Sequence, residues 1–139
     1  MPCVLDASAM IALAREEPGA DRVMDALTEP GERCFAHYVN LCEVYYTTFR
    51  RHGEADAATV IRVLIDEAGV VPYESPDAAF YWEVGRLRAQ VTTARLSASL
   101  ADCFCIVTAR ALGGELLTCD HGEFDRILSL GLCTVTFIR

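Results

Sequence analysis

Lysine is missing from this sequence: all 12 basic residues are arginine, set against 20 Asp and Glu, for a formal charge of −8. A chain so balanced lacks the broad electropositive face through which phosphate backbones are normally held. A phosphodiester site is not thereby excluded, because clustered acids are neutralised once cations bind among them. Arginine's planar fork also suits bidentate phosphate contact better than lysine's point charge. Compositional drift produces an all-Arg set equally well, with most of these side chains solvated.

Also missing is any apolar run near the roughly 18 to 20 residues that a membrane span needs. The stretch Met1 to Asp6 has no basic region leading into a long apolar one, so the expected location is cytoplasmic, with no membrane partner. The seven cysteines are odd in number and include no C-x-x-C pair. Most lie inside apolar runs such as Asp102-Cys-Phe-Cys-Ile-Val, and they read as reduced core residues. A zinc site built from them with His37, His52 or His121 lacks the usual ligand spacing. Repeats, low-complexity tracts and linkers are absent as well.

What is present suits one globular domain over residues 1–139, with 53% hydrophobic residues dispersed among charged ones. Cys3-Val-Leu reads as a strand ending in Asp6, and Ala7-Ser8-Ala9 leads into a helix. Apolar residues at Ala20, Val23, Met24 and Leu27 mark one face of a second helix. A short strand at Arg33-Cys-Phe-Ala follows. Asn40, with Glu43 three residues later, is an N-terminal capping signature for the next helix. Ala55 to Ala68 is helical, Val70-Val-Pro-Tyr extended. Ser75-Pro76 places a hydroxyl cap before a first-turn proline, predicting a helix over Asp77 to Gln90. Val91 to Leu96 is a loop carrying Arg95. Ser99 and Asp102 open a helix that Gly113-Gly114 closes. Then come a strand to Asp120, a short helix marked by Phe124, Ile127 and Leu128, and a last strand over Cys133 to Ile138. Strands separated by helices imply an α/β fold, a three-layer α/β/α sandwich around a central, mostly parallel sheet.

In open parallel sheets the ligand crevice lies beyond the carboxyl ends of the strands. Asp6 and Asp120 fall there directly, and Glu43 and Asp102 join them if their helices start at the same rim. Capping alone accounts for an acid at a helix start: Glu43 and Asp102 occupy the third position of their capping boxes, and Asp120 could cap with Glu123. Asp6 resists that explanation, since Ser8 is the better cap. Carboxylates packed together oppose one another's ionisation unless a cation neutralises them. An oxygen-rich pocket suits Mg2+ or Mn2+ better than zinc, and such a site activates water and orients a phosphodiester.

These residues carry a resemblance covering nearly the whole chain. Val4-Leu-Asp6-Ala-Ser8-Ala, Asn40-Leu-Cys-Glu43-Val, Ser99-Leu-Ala-Asp102-Cys-Phe-Cys and Leu117-Thr118-Cys-Asp120-His-Gly-Glu-Phe124-Asp125, in that order and spacing, resemble the PIN-domain ribonucleases. Most similar are the VapC-type toxins of bacterial toxin-antitoxin pairs. The resemblance implies that Asp6, Glu43, Asp102 and Asp120 are the catalytic, metal-binding acids, supported by the hydroxyls of Ser8 and Thr118 and by Asp125 further out. It implies metal-dependent endonucleolytic cleavage of RNA, a homodimer, and a cognate antitoxin whose tail covers the site. No general-acid residue is carried over from it.

The fourth motif departs from the family where His121-Gly122 intervenes, which leaves the roles of Glu123 and Asp125 open. His121 reads as an exposed loop residue. Arg86, Arg88 and Arg95 are candidates for an RNA path, against the plainer reading of a solvated face. Tyr81 and Trp82 offer stacking surfaces, against core or dimer packing. A haloacid-dehalogenase-type phosphatase would also place an acid after the first strand. It needs a second acid where this chain has Ser8, and a lysine. The remaining alternative is a non-catalytic binding module whose acidic pocket holds a basic partner segment.

Overall fold

The first strand is buried on both sides, and that sets the architecture. In the computed structural model, which describes residues 1–139 apart from the side chains of Glu123 and Ile127, β1 (Cys3–Leu5) lies at the centre of a five-stranded sheet. The other strands are β2 (Cys34–His37), β3 (Val71–Tyr73), β4 (Glu115–Thr118) and β5 (Thr134–Phe137). They run in the order β3-β2-β1-β4-β5, and every pairing is parallel. Side chains alternate across the sheet. Cys3, Leu5 and Leu117 therefore enter one core layer, Val4 and Leu116 the other.

The first layer packs under α1 (Ala7–Ala14), α2 (Ala20–Thr28), α3 (Tyr38–His52) and α4 (Glu54–Arg62). The second packs under α5 (Ala78–Thr93) and α6 (Leu100–Leu112), and takes in Phe124 from α7 (His121–Ser129). Val4, Leu5, Leu64, Ile106 and Leu116 are fully buried, each stabilising the fold by roughly 1.5–3 kcal/mol. Pro72 sits in β3, an edge strand, where its missing N–H costs no ladder bond. Gly113 closes α6 at φ +63, a left-handed position, and any side chain on Gly114 would run into the Pro2 carbonyl.

Most expected elements are present, with corrections at their ends. The cap of α1 is Asp6, not Ser8: its backbone is extended and its Oδ1 accepts from Ala9 N at 2.8 Å. Helix α3 starts two residues before Asn40, capped by His37, whose Nδ1 accepts from Val39 N at 3.0 Å. Asp77, not Ser75, caps α5, while Ser75 Oγ accepts from Asp77 N in the preceding turn, and the helix runs on to Thr93, three residues into the expected Val91 to Leu96 loop. The helix expected to reach Ala68 gives way to a π-helical turn at Val63–Glu67.

Two readings of side-chain environment are also revised. Cys3 and Cys34, directly opposed in β1 and β2, are joined by a disulfide rather than standing as reduced thiols. Trp82 is 73% exposed, so it does not pack in the core. Among the described residues no helix is long and apolar enough to cross a membrane.

Candidate active site

Sequence neighbours β1 and β2 lie side by side, but the other flank of β1 is taken by β4. In open parallel sheets ligands bind at such a reversal of strand order, beyond the carboxyl ends of the strands, here those of β1 and β4. Asp6 stands at the end of β1 and Thr118 at the end of β4, with Asp120 two residues further on.

Asp6 is only 4% exposed. Its Oδ2 accepts from Thr118 Oγ1 at 2.5 Å, and its Oδ1 accepts from Ser8 Oγ at 2.7 Å as well as from Ala9 N. The same hydroxyls knit the two strand ends together. Ser8 Oγ accepts from Cys119 N at 3.1 Å, and Thr118 Oγ1 from Asp120 N at 3.0 Å. Ser8 and Thr118 lie 3.2 Å apart. Burial raises the Asp6 carboxyl to about 6 and Asp102 adds to the rise, against the lowering by its Thr118, Ala9 and Ser8 hydrogen bonds.

Glu43 and Asp102 arrive on helices. Asp102 belongs to a complete capping box at the start of α6: its Oδ2 accepts from Ser99 N at 2.9 Å while Ser99 Oγ accepts from Asp102 N at 3.1 Å. Glu43 lies in the second turn of α3 and makes no cap, because that helix begins at Tyr38. Its carboxyl is raised first by burial, then by the charges of Asp102, Asp6 and Asp120 in turn. One half-buried carboxylate thus feels the other three, and the four expected acids share one electrostatic neighbourhood. Glu43 also lines a cleft of about 360 Å3 with Val39, Cys42, Tyr46, Ser99, Leu100 and Ala101.

Beneath the acids the Cys105 thiol is inert. Cys105 is fully buried, donates from Sγ to the Asp102 carbonyl at 3.1 Å, and is pushed well above the ordinary thiol range by burial and by Asp6 and Asp102. A protonated thiol is neither a nucleophile nor a soft metal ligand. The four acids Asp6, Glu43, Asp102 and Asp120 offer oxygen donors, the chemistry that fits Mg2+ or Mn2+. Among the described residues no three His, Cys, Asp or Glu side chains are grouped closely enough to hold an ion as they stand.

The outlying candidates are placed less centrally. Asp125 pairs with His121 at 3.2 Å, and His121, at the start of α7 rather than in a loop, stacks on Phe137 and bonds the Arg139 carbonyl at 2.8 Å. Glu123 and its suggested capping role lie outside the described side chains. Burial and then the Asp102 charge raise the Cys103 thiol to about 11, and Arg88 on α5, which bonds Thr92, opposes that rise, so its charge reaches the residue after Asp102. Arg86 is exposed beside Glu83, and Arg95 is exposed at φ +58. Sequence reasoning passed over two buried polar residues next to the site. His37 enters that reasoning only as a zinc ligand, and Asn40 only as a cap. The available signal was a polar residue inside an otherwise apolar stretch, Ala36 to Val44.

The sequence matches the PIN domain family over residues 3–128. The chain is a PIN domain. Solved structures share this fold from end to end at low identity. VapBC2 from Rickettsia felis, bound to a DNA fragment from its promoter, matches with a TM-score of 0.75 and 15% identity over 99% of this chain and 98% of that one. VapBC-1 from nontypeable Haemophilus influenzae gives 0.73 and 19%, over 99% and 98%. VapC20 of Mycobacterium tuberculosis, a toxin that cleaves the sarcin-ricin loop, gives 0.71 and 18%, over 90% and 94%. No curated protein sequence matches the chain. The α/β sandwich expected from the strand and helix pattern is the PIN-like fold observed, with a sheet that is parallel throughout.

Proposed function

We propose that this PIN domain is a metal-dependent endoribonuclease acting as the toxin of a toxin-antitoxin pair. The observation carrying the proposal is the PIN-domain match over residues 3–128, together with the placement of Asp6 and Asp120 at adjacent strand ends and of Glu43 and Asp102 on helices joined by the Asn40–Ala101 hydrogen bond. Carboxylates drawn from two strand ends and two helices stabilise the fold little by repelling one another, so their convergence argues for a cationic ligand. Asp6, Glu43, Asp102 and Asp120 would hold Mg2+ or Mn2+. The bound ion supplies a water activated at neutral pH and charge neutralisation for in-line displacement at a phosphodiester. The chain's own contribution is positioning. Thr118, Ser8 and the Ala9 amide orient both oxygens of Asp6, and the Ser99 capping box fixes Asp102.

The fold relatives support the biological setting, since they are VapBC assemblies and a VapC toxin that cleaves the sarcin-ricin loop. The family resemblance, not these structures, carries the further parts of the proposal: a homodimer, a cytoplasmic location and an antitoxin whose tail covers the site. Exposed Tyr38, Tyr46, Phe49 and Trp82 offer apolar surface for such partners. Arg88 is the arginine best placed to meet an RNA backbone near Asp102.

One observation favours a second reading, a binding module that holds a basic segment without catalysis: the described acids are not drawn into a ready-made metal cluster. Incubating RNA with Mg2+ and the wild-type, Asp6→Asn and Asp102→Asn proteins separates the two. Cleavage by the wild type alone supports the nuclease. Full activity in both variants refutes the acid assignment, and no cleavage or metal binding by the wild type favours the module.

A further inference from the structure

Asn40 is 1% exposed, one turn before Glu43 on α3. Residues three apart on a helix share a face, so Asn40 and Glu43 look toward the same neighbour. That neighbour is the start of α6. Asn40 Nδ2 donates to the Ala101 carbonyl at 3.0 Å, and Ala101 directly precedes Asp102. The hydrogen bond therefore spans the two helices that bring Glu43 and Asp102 to the site. At its far end the capping box holds Asp102 to its own helix terminus, so the span reaches from a rigid α3 turn to a rigid α6 turn.

Packing does not require an asparagine here. Among the described residues, Asn40 Oδ1 and His37 Nε2 are the buried side-chain polar atoms without a hydrogen-bond partner. A buried acceptor left unpaired is unfavourable, and an apolar residue of similar volume would avoid that cost. The residue thus exchanges stability for a directional link between helix starts. Leu41 and Val44, its buried neighbours on α3, provide ordinary packing without any such link.

We propose that Asn40 is a positioning residue that sets the spacing between Glu43 and Asp102 through the Ala101 carbonyl. The inference rests on the metal-dependent reading given above. Its chemistry is that of an outer support: it touches neither substrate nor metal, and it limits how far the two carboxylates drift apart. Groups that orient metal ligands characteristically change metal affinity about tenfold or more when removed.

The test uses the full chain carrying Asn40→Leu or Asn40→Ala. Leucine keeps the branched heavy-atom skeleton and removes the unpaired acceptor but is bulkier, while alanine removes the amide without crowding the buried site, so the two variants together separate loss of the hydrogen bond from a change in packing. Mn2+ binding is measured by calorimetry beside thermal unfolding, and backbone hydrogen exchange is followed at the starts of α3 and α6. The expected result is about tenfold weaker Mn2+ binding in both variants, with faster exchange at both helix starts, even where Asn40→Leu melts at or above the wild-type temperature. A purely structural residue would shift melting and leave Mn2+ affinity alone. Affinity within twofold of wild type in both variants overturns the proposal. If the wild-type chain binds no Mn2+, the metal reading fails separately and exchange still decides. Unchanged exchange at the α6 start in Asn40→Leu overturns the positioning role, and accelerated exchange at both starts sustains it.

Discussion

Thr118 on β4 donates its hydroxyl to Oδ2 of Asp6 at the end of β1, and the Thr118 Oγ1 itself accepts the backbone N–H of Asp120. One buried hydroxyl thereby couples two acids from adjacent parallel strands. Its neighbour Ser8 does the same from the other side, linking Asp6 Oδ1 to the Cys119 amide. The crevice at the strand-order reversal is organised by these two side chains before any ligand arrives.

Thr118→Val keeps the shape of a fully buried side chain and removes only the hydroxyl. Asp6 loses the donor that lowers its pKa most, and the Asp120 amide loses its acceptor. Stranding such groups costs about 1–3 kcal/mol. Urea unfolding should show that loss, and the Asp6 carboxyl should move further up. Mg2+-dependent RNA cleavage should fall at least tenfold at pH 7. A variant as stable and as active as wild type would show that the hydroxyl bridge organises nothing.

The ionisation of Asp6 bears on stability in a direction opposite to most carboxylates. Its pKa stands at about 6 in the fold against an ordinary 3.8, chiefly through burial. The folded state then holds the proton more tightly than the unfolded chain does. This group's contribution is present below pH 3.8 and is lost as pH rises through 6, an effect of about 3 kcal/mol in all. Asp6→Asn removes the charge. It should abolish cleavage yet raise stability at pH 7 by on the order of 1 kcal/mol, with no gain at pH 4. Denaturant titrations at the two pH values read this directly. A variant less stable than wild type at pH 7 would mean that the hydrogen bonds to Asp6 outweigh its burial.

How far the sequence could be read follows from where each signal is local. Strands β1 and β4 are legible because their apolar runs end abruptly in acids, and α6 because Ser99, Asp102 and Gly113-Gly114 mark both its ends. Local reasoning about caps inverted two of the acids. Asp6, which resisted a capping explanation, is a cap, while Glu43, which fitted one, is not. The cause is tertiary in both cases. Ser8 Oγ is engaged by Asp6 and by Cys119 across the sheet, and His37 takes the cap of α3 because β2 runs straight into it. The π-helical turn at Val63–Glu67 and the Cys3–Cys34 bond depend on packing partners and strand register, which no local pattern encodes.

That register leads to a chemical prediction. Cys3 and Cys34 are Cα partners in neighbouring strands, 4.7 Å apart, and their sulfurs are bonded. Alkylation of the denatured, unreduced protein should label the remaining five cysteines, Cys42, Cys103, Cys105, Cys119 and Cys133, and reduction should expose two more. The bond closes a separation of 31 residues, so Cys34→Ala should lower stability by about 3 kcal/mol under oxidising conditions and far less in reductant. Labelling of every cysteine without reductant would show that the pair is held as thiols, the state a reducing cytoplasm favours.

His37 supplies the opposite pH signature to Asp6. It is 3% exposed, with its ring 4.7 Å from Phe104 and stacked 5.5 Å from Phe80, and Tyr73 and Tyr81 stand edge-on to it. Burial lowers its pKa below the ordinary 6.5, so the fold holds the neutral ring, whose Nδ1 accepts the Val39 amide and caps α3. The unfolded chain takes up the proton first. Stability from this residue is therefore present above pH 6.5 and lost as pH falls below it. Protonation also removes the Nδ1 lone pair, which loosens the turn of α3 leading to Asn40 and Glu43. In His37→Asn the amide oxygen serves as a cap without titrating, at the expense of ring packing. The variant should be less stable than wild type at pH 8, with the gap narrowing steadily toward pH 5. Melting temperatures of the two proteins across that range test this, because the Asp6 contribution is common to both and cancels in the difference. A gap that stays constant from pH 8 to pH 5 would show that His37 does not titrate between the folded and unfolded states.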